Sequence, residues 1–116
     1  MRGLNNKVVI VTGGGGGIGA ATCKRFAEEG AKVAVWDVNS ETENATVSAI
    51  KDAGGTVQGF TCDVVDFDAV KVAVTETENA LGPISILVNN AGWDVFRPFL
   101  KTDPDIWDKV IDINLK

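Results

Sequence analysis

The 116-residue sequence predicts an α/β fold, a doubly wound parallel sheet with helices on both faces. Three observations predict it. The runs KVVIV (7–11), KVAVW (32–36) and ISILV (84–88) are apolar at all but one position each rather than alternating, as strands covered on both faces are. Amphipathic helical stretches separate the strand runs. A glycine-rich segment joins the first strand to the first helix, where a tight turn under a helix N-terminus is needed.

Each element follows in order. Lys7–Val11 is the first strand, and Ile18–Glu29 is a helix with Ile18, Ala21, Thr22, Phe26 and Ala27 on one face, ended by Gly30. Lys32–Trp36 is the second strand. Ser40-Glu41-Thr42-Glu43 reads as a capping box, with Ser40 as N-cap and Glu43 reaching back to it. The helix it starts carries Ala45, Ile50 and Ala53 inward and stops at Gly54-Gly55. Thr56–Cys62 is a third strand, interrupted by Gly59. Asp66–Leu81 is a helix with Val70, Ala73, Val74 and Leu81 on one side, closed by Gly82-Pro83, and Ile84–Val88 is the fourth strand. Beyond the loop 89–101, Thr102 or Asp103 caps a last helix with Pro104 in its first turn. Ile106, Trp107, Val110 and Ile113 or Asn114 recur there at helical spacing, and no breaker precedes Lys116. The order β-α-β-α-β-α-β-α is the N-terminal half of a Rossmann-type sheet, expected to be one truncated domain over residues 1–116.

Bulk properties exclude several classes. Hydrophobic residues make up 45% and charged residues 23%, the composition of a globular domain. The net charge of −5 argues against nucleic acid as a partner, because phosphate neutralisation needs a basic face. No segment is long and apolar enough for a membrane span or a signal peptide. Cys23 and Cys62 lie too far apart for a CxxC-type metal site; they read as reduced, half-buried thiols of a cytoplasmic protein, and no metal is expected. The sequence contains neither histidine nor tyrosine.

The chemistry concentrates at Thr12-Gly13-Gly14-Gly15-Gly16-Gly17-Ile18-Gly19. A flexible linker is the plain alternative, but linkers are rarely wedged between a buried strand and a helix. Glycines let backbone approach a pyrophosphate, and the helix N-terminus offers free N–H groups and partial positive charge. The Walker alternative needs Lys followed by Ser or Thr, whereas Ala20-Ala21 follow Gly19. Asp37 ends the second strand about twenty residues on, where an acid accepts from the adenosine ribose hydroxyls and repels a 2′-phosphate. Its alternative is a turn residue heading Asp37–Ser40. Neither that segment nor the glycine loop holds an arginine for an extra phosphate, so the cofactor reads as NAD.

Thr12-Gly13-x-x-x-Gly17-x-Gly19, Asp63-Val64, Asn89-Asn90-Ala91-Gly92 and Asp112-Ile113-Asn114-Leu115, in this order and spacing, resemble the motifs of the short-chain dehydrogenase/reductase family over essentially the whole chain. The resemblance implies that Gly13, Gly15, Gly16, Gly17, Ile18 and Gly19 hold the pyrophosphate and adenosine ribose. It also implies that Asp63 and Val64 contact adenine, that Asn90 lies along the nicotinamide-side ribose, that Asn89 and Ala91 shape the strand end, with Ala91 and Gly92 among the cofactor-binding residues, and that Asn114 is a catalytic asparagine in a helix. Plainer alternatives stay open: Asp63 as a turn cap, Asn89-Asn90 as loop ligands of the backbone, Asn114 as an ordinary helical residue. The family's serine and Tyr-x-x-x-Lys have no counterpart in this sequence, so the chain alone is expected to be inactive.

The glycine run together with NNAGWDVFRPFLKT also resembles the family's 2-hydroxycyclohexanecarboxyl-CoA dehydrogenases, with Trp93 and Phe96 at the substrate mouth. The implied substrate is a small molecule, a 2-hydroxyacyl-CoA. A 3-oxoacyl-thioester reductase, a sugar or polyol dehydrogenase, and a non-catalytic nucleotide-binding fragment are the alternatives. The resemblance also implies a homo-oligomer, and topology leaves the fourth strand as an open edge prone to self-pairing.

Overall fold

The computed structural model describes residues 4–15, 17–63, 66–89 and 112–115, with Phe67, Asn89 and the last four described by backbone alone. Five strands, β1 (Val8–Thr12), β2 (Lys32–Asp37), β3 (Thr56–Thr61), β4 (Ile84–Asn89) and β5 (Asp112–Leu115), form one parallel sheet in the order β3-β2-β1-β4-β5. Between them run α1 (Gly17–Glu28), α2 (Ser40–Asp52) and α3 (Phe67–Leu81). This is the expected Rossmann-type α/β sheet.

The two faces explain the uninterrupted apolar runs. Alternate residues of a strand point to opposite faces. Val8 and Ile10 of β1, with Ala34 and Trp36 of β2, pack against Val70, Ala73 and Val74 of α3. Their neighbours Val9, Val11, Val33 and Val35 pack on the other face against Cys23 and Phe26 of α1 and Ile50 of α2. Trp36 is buried whole, and its indole N–H donates to Thr77 Oγ1 at 3.1 Å, a bond worth about 1 kcal/mol. Lys32 Nζ reaches the Leu81 carbonyl at 3.4 Å, a cation at the end of α3 where carbonyls point outward. β3 lies at the sheet edge and alternates between exposed and buried positions.

Several helix faces depart from the sequence-based expectation. The buried stripe of α1 is Gly19, Cys23 and Phe26, while Ile18 is 70% exposed and Ala21 also faces outward. Gly19 has no side chain to hold the helix off the sheet, so it takes the inner position and turns Ile18 away. On α2 the inward residues are Glu43, Thr46 and Ile50, whereas Ala45 and Ala53 are exposed. Spacing 43-46-50 is the i, i+3, i+7 of one helix face, and its two polar members find partners inside the fold.

The cap of α2 is also corrected. Asn39, not Ser40, is the N-cap: its Oδ1 accepts from the amides of Glu41 at 2.9 Å and Thr42 at 3.2 Å. β2 runs on to Asp37, whose Oδ1 accepts from the Asn39 amide at 2.9 Å and so sets the turn one residue earlier than the capping box requires. α3 follows the expectation to within one residue, with Asp66 as its N-cap rather than its first residue; Val70, Ala73 and Val74 are buried and Leu81 partly so.

The last described segment differs most. A helix was expected through Asn114, but Asp112–Leu115 pair with Ile86–Asn89 as β5, placing Asn114 opposite Val88. A parallel ladder satisfies their backbone groups along an edge of β4 that would otherwise stand open, and Ile113 suits a strand. β4 is therefore an interior strand, which removes the expected pairing of two fourth strands. The first part of the expected helix, 102–111, lies outside the described residues.

Both cysteines are free and fully buried rather than half-buried. Desolvation pushes the Cys23 thiol up to about 12, with Asp37 adding to the rise, and the Cys62 thiol up to about 11, with Asp63 and Asp66 adding. A thiol-specific disulfide reagent at about pH 8 should therefore leave native chain unmodified and label both cysteines once urea unfolds it. Rapid labelling of either cysteine in the folded chain would contradict this packing.

Candidate functional site: the glycine loop and the end of β2

The glycine loop is built as an extension of the sheet. The amides of Gly13 and Gly14 both donate to the Trp36 carbonyl, at 2.8 and 3.3 Å, tying the end of β1 across β2. Gly15 is then held at both of its polar groups. Its amide donates to Asp37 Oδ2 at 2.8 Å, and its carbonyl accepts from the buried Thr46 Oγ1 at 3.2 Å. A Cβ on Gly15 would stand 2.6 Å from Asp37 Oδ2 and 2.8 Å from both Thr42 Oγ1 and the Glu43 amide nitrogen. One on Gly14 would stand 2.9 Å from Cys23 Sγ, which lies beneath the loop. Glycine is required here by close approach.

Beyond the loop, α1 begins at Gly17 with no acidic residue in its first turn. Its leading amides have no intrahelical acceptors, which leaves a positive end suited to an anion. Ile18, exposed at this end, and Val38, 65% exposed just past β2, are apolar surfaces at the carboxyl edge of the sheet. Asp37 is half-buried. Among the described residues its carboxylate accepts two hydrogen bonds, from Gly15 and Asn39. A carboxylate offers about four acceptor directions, so two remain. Asp37 thus serves both as the turn residue and as an acceptor beside the loop. A tight glycine loop, an acid-free helix N-terminus and a partly unused carboxylate fit a dinucleotide. The carboxyl edge of an open parallel sheet is where such ligands bind.

The structure brings Gly13, Gly15, Gly17, Ile18, Gly19 and Asp37 together at this edge. Asp63 follows β3 at the same edge and is exposed; its carbonyl accepts from the Asp66 amide at 3.0 Å. Gly16, Val64, Asn90, Ala91 and Gly92 lie outside the described residues, as do Trp93 and Phe96, while Asn114 is in β5 rather than in a helix. Among the described residues no group of acidic residues and cysteines is arranged to hold a metal ion, and no helix is long and apolar enough to cross a membrane.

Sequence reasoning missed Thr46, Cys23 and the real place of Glu43. Glu43 does not reach back to the helix start. It is buried against β3, where its Oε2 accepts from Thr61 Oγ1 at 2.9 Å. Gly59 makes the space, since a Cβ there would come 2.5 Å from Glu43 Oε1. The interrupting glycine of the third strand was the available signal. Burial raises the Glu43 carboxyl above the usual range, the Thr61 hydrogen bond partly offsets this, and nearby Asp37 adds to the rise.

Against this geometry, a model of the short chain dehydrogenase family matches residues 7–116, and the chain belongs to that family. It is 45% identical over 108 residues to the short-chain reductase protein NovJ of Streptomyces niveus, covering 93% of this chain and 41% of NovJ. It is 40% identical over 114 residues to the hydroxy(phenyl)methylsuccinyl-CoA dehydrogenase subunit BbsD of Thauera aromatica, covering 98% of this chain and 46% of BbsD. An NAD+-bound xylitol dehydrogenase structure superposes with a TM-score of 0.75 at 38% identity, over 79% of this chain and 35% of that one. The chain spans less than half the length of these relatives.

The raised Glu43 carboxyl carries a pH dependence. The folded chain holds this proton more tightly than the unfolded chain, so the group's contribution to stability is greatest at low pH. That contribution is lost as pH rises from the ordinary glutamate value of 4.5 through the elevated folded value. Relative to Glu43→Gln, the parent should lose stability in urea melts as pH rises above the ordinary glutamate value of 4.5. A difference that stays constant as pH rises above that value would show that Glu43 does not titrate abnormally.

Proposed function

We propose that the chain is the NAD-binding portion, over residues 1–116, of an oxidoreductase that transfers hydride between NAD and a secondary alcohol or ketone. The substrate class we favour is a hydroxyacyl-CoA. The observation that carries the cofactor reading is Asp37, which closes β2, fixes the Gly15 amide and retains acceptor capacity toward ribose hydroxyls. A 2′-phosphate would meet this carboxylate with no arginine in Asp37–Ser40 or the glycine loop to neutralise it. The acyl-CoA reading draws on the likeness to BbsD and on the NNAGWDVFRPFLKT segment. It does not extend to 2-hydroxycyclohexanecarboxyl-CoA in particular, because BbsD is named for a different CoA ester. Likeness to a xylitol dehydrogenase favours a polyol as the second reading.

In this proposal the backbone of Gly13, Gly15, Gly16 and Gly17, with Ile18 and Gly19, receives the pyrophosphate at the positive end of α1. Asp63 and Val64 border the adenine, and Asn90, Ala91 and Gly92 border the nicotinamide side. When bound, NAD supplies the hydride acceptor, and these residues bind and orient it. The role of Asn114 as a catalytic asparagine rests on the 112–115 motif alone, since the structure places it in a strand. The assembly proposed is a homo-oligomer acting on a small molecule.

Calorimetry should find NAD bound far more tightly than NADP, and Asp37→Ala should narrow the gap by on the order of tenfold or more, the loss of one close charge pair. Equal affinities in the parent chain would remove the assignment of Asp37. Because the sequence contains no tyrosine, pure 116-residue chain given NAD and a panel of secondary alcohols should produce no NADH. Sustained NADH formation at 340 nm would require another proton-transferring group.

A further inference from the structure

Glu43 is 3% exposed and, among the described residues, has no cation beside it. A buried carboxylate costs free energy unless it is paired or hydrogen-bonded, and Glu43 has the Thr61 hydrogen bond alone among the described residues. It is not needed as the α2 cap, because Asn39 fills that place. The surrounding residues nevertheless accommodate it: Gly59 leaves the room, and Thr61 donates to it.

Its location connects it to Asp37. Thr61 is the ladder partner of Asp37 across β2 and β3, and the same Thr61 holds Glu43 Oε2. Gly15 lies against both residues, its missing Cβ facing Asp37 Oδ2 on one side and the Glu43 amide on the other. The Asp37 carboxylate thus lies against the loop at the sheet edge, and the Glu43 carboxylate lies behind it, buried against Gly59 and Thr61 of β3. The buried member cannot touch a ligand, but its field passes through a low-dielectric wall and is poorly screened. A neutral ribose hydroxyl scarcely feels an added negative potential. A phosphate at the same carbon is repelled by it.

Building on the cofactor reading above, we propose that Glu43 is a second specificity determinant, acting through its charge behind Asp37 to exclude a nicotinamide dinucleotide that carries a 2′-phosphate.

The test is calorimetry of the chain and of Glu43→Gln with NAD and with NADP, at a pH above the raised Glu43 value so that the carboxyl is ionised. Glu43→Gln should keep its NAD affinity within about twofold while binding NADP on the order of three- to tenfold more tightly, the effect of one charge removed behind a poorly screening wall. Equal weakening of both cofactors would show a packing role only, and an unchanged ratio would show no role; either result overturns the inference. A parent chain that binds both cofactors equally, or neither, overturns the cofactor reading and this inference with it. Should Glu43→Gln fail to fold, Asp37→Asn gives the same information without touching the core. A several-fold preference for NAD persisting in that variant supports Glu43, and its complete loss overturns it.

Discussion

The arrangement at the sheet edge depends on how Gly15 is held. Its amide is fixed by Asp37 and its carbonyl by Thr46, so a residue with no side chain is clamped between the end of β2 and the face of α2. A loop of consecutive glycines has maximal conformational entropy to lose, and two side-chain bonds offset part of that loss. Tying the loop down keeps the start of α1 aimed at the carboxyl edge. Asp37 can stay oriented there because the same bond that fixes the loop also fixes its carboxylate.

That clamp requires the rest of the sheet to be in register. Asp37 reaches Gly15 only if β1 and β2 pair as Thr12 with Trp36, and Thr61 stands beside Asp37 only if β2 and β3 keep their register. Apolar packing on both faces sets these registers. Slipping a strand by one residue would turn Trp36 toward α1 and α2 and take its indole N–H from Thr77. The polar site is thus positioned by residues that never approach a ligand.

Thr46 and Glu43 show that α2 is more than a crossover connection. Its inner face is polar at two of three positions, and both are satisfied, one by the glycine loop and the other by β3. An apolar face would pack as well but would leave the Gly15 carbonyl without Thr46. The helix therefore joins the edge strand to the loop, which links the two carboxylates to a single structural unit.

The sequence by itself determined the fold class, the first four strands and three helices, the glycine loop and the place of Asp37. Each of these is a local matter of period, turn chemistry or spacing along the chain. Consecutive apolar residues such as Val8–Val11 and Val33–Trp36 can scarcely be anything but buried strands here. Tertiary structure alone decided which side of each helix faces inward when the inner residues are not apolar. Ile18 was expected inside and lies outside, because Gly19 takes the inner position of the first turn; Glu43 was expected at a cap and is buried, because Gly59 on another strand leaves it room. The pairing of 112–115 with β4 was likewise illegible, since a four-residue segment carries no period strong enough to choose between a helix and a ladder, and an available strand edge decided it.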